Sequence, residues 1–241
     1  MRINDDCTGC GICLPFCPVG AILDDGDRLR VDENPCVECG VCRRSADCPT
    51  AAFFQPPESD LWPRVLRKQF SDPTVPHPHT RGFGRGTEEM KTNDVTGRYR
   101  RGTYGMALEF GRPGIATRLG DVEKATQALA GIGVRFEEKN PVYALFDNPA
   151  TGTFTPEVRN ERVLSAIVEA GFPARELPRV LAAVRQVAQE IDSVFSLDLI
   201  TRFEPDGTIA VLPELARLGF PARSNAKINL GLGRPRAPSD E

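Results

Sequence analysis

The sequence predicts an α+β protein of two folded modules joined by a basic, Pro/Gly-rich connector. Three observations carry that reading. All eight cysteines of the 241 residues fall between Cys7 and Cys48. Residues 55–103 then turn rich in proline, glycine and basic side chains. From residue 104 onward the apolar spacing switches between period two and period 3.6, as alternating strands and helices require. The predicted divisions are a cysteine-rich domain over 1–54, the connector over 55–103, an α+β sandwich over 104–233 and a mobile polar tail over 234–241.

Bulk properties narrow the function classes. Hydrophobic residues make up 40% and charged residues 26%, which excludes a wholly disordered chain. A net charge of -3 argues against a nucleic-acid binder. No apolar run reaches the length of a membrane-spanning helix. The start, Met1 to Asp6, is acidic, with neither an apolar signal core nor an Arg-Arg pair. A cytoplasmic location is therefore expected.

The cysteines form two runs, Cys7-x2-Cys10-x2-Cys13-x3-Cys17-Pro18 and Cys36-x2-Cys39-x2-Cys42-x5-Cys48-Pro49. Thiolates at i, i+3 and i+6 wrap a loop around three corners of a cuboidal [4Fe–4S] cluster. The fourth cysteine lies too far along to close the same loop and ligates the other cluster. The expected sets are Cys7, Cys10, Cys13 and Cys48 for one cluster, and Cys36, Cys39, Cys42 and Cys17 for the second. Gly9, Gly11 and Gly40 let the backbone approach the inorganic sulfides. After each proline comes a similar segment, Val19 to Ile22 and Thr50 to Phe53, so the module is an internal repeat. Structural zinc favours paired Cys-x2-Cys knuckles over triplets, and a disulfide framework belongs to exported proteins.

On these motifs residues 1–54 resemble the bacterial two-[4Fe–4S] ferredoxins. The resemblance implies short hairpins and two short helices around two clusters. The Cys42-x5-Cys48 spacing is two residues longer than the simplest family pattern. The insert Arg43 to Asp47 is expected beside the first cluster, as a surface loop or as a modulator of its potential. This segment holds nine acidic and five basic side chains, which fits either a solvated face or an encounter surface for a basic partner.

Residues 61–101 hold nine basic and four acidic side chains. They are expected to wrap the acidic module, bind a subunit or cradle an anion. Six prolines between Pro56 and Pro78 leave room for a helix only around Trp62 to Phe70. Trp62 reads as a packing anchor, and His77 and His79 as exposed loop residues. Gly82-Phe83-Gly84-Arg85-Gly86-Thr87 lacks the spacing and strand context of a nucleotide fingerprint.

In the C-terminal module, Tyr104 to Phe110 reads as a strand and Thr117 to Leu129 as a helix with Leu119, Val122, Ala125, Ala128 and Leu129 at helical spacing. Val134 to Glu137 reads as a strand. A helix capped by Thr155, with Pro156 at its first position, is predicted to run to Ala170. A second covers Leu177 to Asp192, with Val180, Leu181, Val184, Val187, Ala188 and Ile191 on one face, followed by a strand Val194 to Phe203, a turn Glu204 to Gly207, a short helix Pro213 to Leu218 and a last strand Lys227 to Leu232. The order gives a sandwich of split βαβ type, resembling small ACT-like ligand-binding or interaction domains. Asp121, Glu123 and Asp198 read as helix-surface or strand-end residues, and Asn225 and Asn229 as turn residues. No catalytic constellation emerges, so catalytic residues are left unassigned and enzyme status stays open.

Two further segments, Arg44 to Pro49 and Arg85 to Asp94, are similar to 6-hydroxynicotinate reductase-like iron–sulfur proteins, which reduce a heteroaromatic ring with low-potential electrons. Those proteins are longer, which implies that this chain is the electron-delivery part. The function expected is a low-potential electron-transfer subunit in anaerobic metabolism. It takes single electrons from a soluble donor to a catalytic reductase subunit, with self-association through the C-terminal domain. The alternatives are an iron–sulfur reductase of an aromatic or heteroaromatic acid, or a redox-linked metabolite sensor.

Overall fold

The computed structural model describes residues 1–87, 97–111 and 114–224. The predicted strand Lys227 to Leu232, Asn225, Asn229, the tail, and Glu88 to Asp94 of the second reductase-like segment lie outside the described residues.

The cysteine-rich module is built from two short antiparallel pairs. Strand β1 (Arg2–Ile3) pairs with β4 (Phe53–Phe54), and β2 (Ile22–Asp24) with β3 (Leu29–Val31). A 3-10 turn (Leu14–Phe16) follows the first cysteine triplet, and helix α1 (Val41–Ser45) carries the end of the second. So few residues enclose only a small core, Met1, Ala21, Ile22, Leu29, Ala46 and Phe53 packed among the cysteines.

The connector is ordered where its apolar residues find a core. Helix α2 (Val65–Ser71) forms within the predicted window, and its Leu66 and Phe70 join the main hydrophobic core. Trp62 does not anchor anything: it is exposed, as is Phe83, whereas Phe70 and Tyr99 are buried. His77, expected at the surface, is buried edge-on to Phe70 with ring centroids 5.1 Å apart; His79 is exposed.

The C-terminal module centres on strands β5 (Thr103–Phe110), β7 (Arg135–Phe136), β11 (Ala166–Pro173) and β12 (Phe195–Ile200). Between them come β6 (Thr117–Arg118), β8 (Phe146–Asn148), β9 (Thr153–Phe154) and β10 (Arg162–Val163), which form two small pairs, β6 with β10 and β8 with β9. The main sheet runs β12-β5-β11-β7, every neighbour antiparallel. Helix α3 (Leu119–Ala130) joins β5 to β7, and α4 (Leu177–Glu190) joins β11 to β12. Each strand–helix–strand unit is thus split by a strand of the other.

One sheet face presents Met106, Leu108, Phe110, Val168, Ala170 and Phe172 to the main core, with Leu119, Val122, Ala125 and Leu129 of α3 and Val180, Leu181, Val184 and Val187 of α4. Those are the apolar stripes read from the sequence, except that Ala128 and Ile191 are only partly buried and Ala188 is exposed. The other face lies under the connector. Tyr99 covers Gly105 so closely that a Cβ there would sit 2.4 Å from its ring, and the Thr87 amide donates to Glu169 Oε1 at 2.7 Å.

That covering explains the one misread element. The predicted Thr155 to Ala170 helix is a single 3-10 turn (Pro156–Val158) followed by β10 and β11. Ala166 to Ala170 is buried throughout, so it lacks the alternation of a half-exposed strand, and its small apolar residues mimic a helix. Pairing over all eight residues of β5 overrides the local preference. Asp121 and Glu123 also depart from expectation. Both are buried: Glu123 accepts from the Phe154 amide at 2.8 Å and Arg159 at 2.9 Å, and Asp121 pairs with Lys124 at 3.0 Å. They are structural acids.

Burial, reinforced by the charge of His79, depresses the His77 imidazole from 6.5 to about 4. Between those values the unfolded chain binds the proton and the folded chain does not. Stability therefore falls as pH drops through this window, by on the order of 3 kcal/mol. In urea titrations at pH 6.5 and 4.5, His77→Phe should lose markedly less stability on acidification than the wild type; parallel losses would contradict this.

Candidate iron–sulfur site

The two cysteine runs cross over. Cys17, Cys36, Cys39 and Cys42 line one cavity enclosing about 330 Å³ of empty space continuous with solvent, walled by Met1, Val19, Ile22 and Val37. Burial pushes the Cys42 thiol up to about 12, and the charges of Cys39, Cys36 and Cys17 add to the shift. Cys13 is raised by burial first, then by Cys10, Cys48 and Cys7. Each run therefore has its fourth cysteine among the other run's three.

The donor chemistry fits cuboidal clusters. All eight cysteines are free thiols. Among the described residues, no three His, Cys, Asp or Glu side chains converge closely enough to hold a single metal ion. The thiols of the second set stand around a volume instead. Burying them raises their proton affinity, a cost that a cationic iron core offsets by holding them as thiolates. Amides point at the sulfurs, as a charged cluster requires. The Ala21 amide donates to Cys17 Sγ at 3.1 Å, and the Ala52 amide does most to lower the Cys48 thiol. Gly9, at φ +68, is indispensable for space as well as conformation, because a Cβ would sit 2.8 Å from the Asp27 carbonyl oxygen.

The surroundings of the second set were not foreseen. Glu38 stands in the repeat where Gly9 stands in the first run, at φ 55. Its carboxylate is fully buried between the Met1 ammonium and Arg64, whose Nη2 lies 2.6 Å from Oε1. Arg64 also reaches Glu33 at 2.7 Å. Arg67 Nη1 donates to the carbonyls of Glu33 at 2.6 Å and Cys36 at 2.7 Å, while its Nε binds Glu161 at 2.5 Å. Arg44, from the insert after Cys42, donates to the Cys39 carbonyl and to Asp72, both at 2.7 Å. The insert thus braces the Cys39 loop. The sequence offered one signal for all this: a carboxylate breaking the glycine of an internal repeat.

Cysteine sets crossed between the two halves of a small repeat fit an iron–sulfur domain of ferredoxin type. The comparisons agree. The family model for a 4Fe-4S binding domain matches residues 2–23. Ferredoxin-3 of Chlorobaculum tepidum is 38% identical over 58 residues, 24% of this chain and 89% of its own length. The ferredoxin-like protein in the vnf region of Azotobacter chroococcum is 39% identical over 54 residues, 21% of this chain and 83% of its own. The "Ferredoxin 7Fe" of Hydrogenibacillus schlegelii is 33% identical over 54 residues, 22% of this chain and 67% of its own. Through this N-terminal segment the chain belongs to the ferredoxin family. No solved structure gives a significant match.

Removing the guanidinium leaves Glu38 buried with the ammonium alone. Arg64→Ala should lower unfolding stability by about 2–3 kcal/mol, and Arg64→Lys should restore part of it. Chemical denaturation measures both; an unchanged Arg64→Ala midpoint would contradict the pairing.

Proposed function

We propose that the chain is a low-potential electron-transfer subunit with two [4Fe–4S] clusters, one held by Cys7, Cys10, Cys13 and Cys48 and the other by Cys36, Cys39, Cys42 and Cys17. It takes single electrons from a soluble donor to a catalytic reductase partner in the cytoplasm. The observation that carries this reading is the crossed grouping of the eight thiols. Each cluster, when bound, supplies a one-electron couple. The chain's own residues supply the thiolates, the amides that stabilise sulfide charge, and a dry wall of Met1, Val19, Ile22 and Val37 that limits water access. Among the described residues no helix is long and apolar enough to cross a membrane.

The split βαβ topology supports an interaction or ligand-binding role for the C-terminal module, as in ACT-like domains, including self-association. A carrier does not need that module for one-electron chemistry, so the module serves the partner. Reduction of an organic ring needs two electrons and positioned protons. Asp121 and Glu123, two of the buried acids, are consumed by structural pairs.

The purified chain should contain eight irons and eight labile sulfides and accept electrons from reduced viologen. It should not turn over aromatic or heteroaromatic acids alone. Seven irons, or zinc, would overturn the cluster count. Substrate turnover by the isolated chain would replace the carrier with the reductase.

A further inference from the structure

The small ribbon of β6 and β10 sets two arginines against each other. Its register pairs Arg162 with Arg118 and Val163 with Thr117. Thr117 and Val163 are buried, so strand alternation sends both arginine side chains to the opposite side of the ribbon. The Leu119 amide donates to the Glu161 carbonyl at 2.9 Å, one pair further along. Arg118 and Arg162 therefore form a pair of the closer, non-hydrogen-bonded type, with Cα atoms about 4.5 Å apart. Like charges set directly opposite each other oppose pairing of the strands.

No carboxylate among the described residues relieves this repulsion. Arg118 Nη1 donates to the Asn160 carbonyl at 3.3 Å, and neither arginine forms an ion pair. The acids nearest in the chain are taken: Glu161 by Arg67 at 2.5 Å, Asp121 by Lys124 at 3.0 Å and Glu123 by Arg159 at 2.7 Å. Arg162 Nε is buried without an acceptor, although the residue as a whole stays partly accessible. A buried N–H left unpaired is costly. Arg118 is also the N-cap of the twelve-residue helix α3, and its side chain makes no cap hydrogen bond. A cation there meets the positive end of the helix dipole, where Asp, Ser or Thr is the favoured residue.

Three unfavourable placements thus meet at one spot, and a single bound anion offsets all of them. We propose that Arg118 and Arg162 hold the oxyanion group, a carboxylate or a phosphate, of a small anionic metabolite. Two planar guanidinium forks suit such a group, because each can donate two parallel N–H bonds to its oxygens. The anion separates the two positive charges, gives Arg162 Nε its acceptor and faces the start of α3.

The site adjoins the second cysteine set. Ala116 and Leu164, each two residues from one of the arginines, pack against Val37 and Cys39. Two residues span at most about 7 Å of chain. Glu161, next to Arg162, is the carboxylate that Arg67 links to the Cys36 carbonyl. The C-terminal module therefore offers its anion site on the side where it meets the ferredoxin segment. This gives a chemical class to the ligand of that module, and it stands independently of the carrier reading.

The test uses the full, cluster-loaded chain under anaerobic conditions at low ionic strength, with inorganic phosphate and benzoate as separate probes. Calorimetry should find one saturable site for at least one probe, with a dissociation constant of about 1 mM or tighter. A response to phosphate alone marks the source as a phosphate ester, to benzoate alone as a carboxylate, and to both as the shared oxyanion chemistry. Arg118→Gln and Arg162→Gln should each weaken the bound probe about tenfold or more, with Arg162→Lys, which keeps the charge but loses the fork, in between. Arg175→Gln, at an exposed position, should stay within about twofold. Phenylglyoxal labelling of the wild type needs no variant to fold: the probe should slow modification of Arg118 and Arg162 and leave Arg175 unprotected. Absence of saturable binding would overturn the site, as would binding that neither glutamine variant weakens and that protects neither arginine. Iron and sulfide content of the same samples tests the cluster reading separately, so the two can fail independently.

Discussion

The Arg67 guanidinium is the contact on which the rest of the structure depends. A loop that wraps thiols around a cluster turns its carbonyls away from any β ladder, and buried carbonyls without donors are costly. Arg67 meets that need from outside the loop. It donates to Glu33, Asn34 and Cys36 carbonyls and to the Glu161 carboxylate. Only a planar group with several fixed donors can serve the loop and the C-terminal module together. The helix that carries Arg67 is itself fixed by Leu66 and Phe70 in the main core. The cluster loop is therefore referenced to the C-terminal sheet and not merely tethered to it.

This fixing breaks the symmetry of the repeat. At the position of Gly9 the second run carries Glu38, a non-glycine residue in the left-handed region, which costs on the order of 1 kcal/mol. A buried carboxylate there would be far more costly unpaired, and Arg64 and the Met1 ammonium both reach it. In exchange the acidic module and the basic connector are joined by specific pairs. The loop Cys36 to Gly40 is buried against the rest of the protein, while Cys10 of the first run stays exposed.

Much of this was legible in the sequence wherever the signal is local. Cysteine spacing is set by the geometry of one loop, so both proposed ligand sets could be written down before any fold. The α3 and α4 stripes were legible because one face of each helix stays wet. β11 was not, because Ala166 to Ala170 is covered on both sides and carries no alternation. Trp62 and His77 exchanged their expected places, because burial of a single side chain depends on which distant surface arrives to cover it. The charge contrast between the segments was visible, but its partners were not. Arg67 and Cys36 are 31 residues apart, and Arg67 and Glu161 are 94 apart.

The central claim is that Arg67 ties the second cysteine loop to the body of the protein. Amide hydrogen exchange of the cluster-loaded chain, read at residues 33–40 and across β10, tests it most directly. With Arg67→Leu, which keeps the helix former but removes every donor, exchange should accelerate in the loop and around Glu161 together, while α4 stays protected. Unchanged protection of residues 33–40 in that variant would contradict the account.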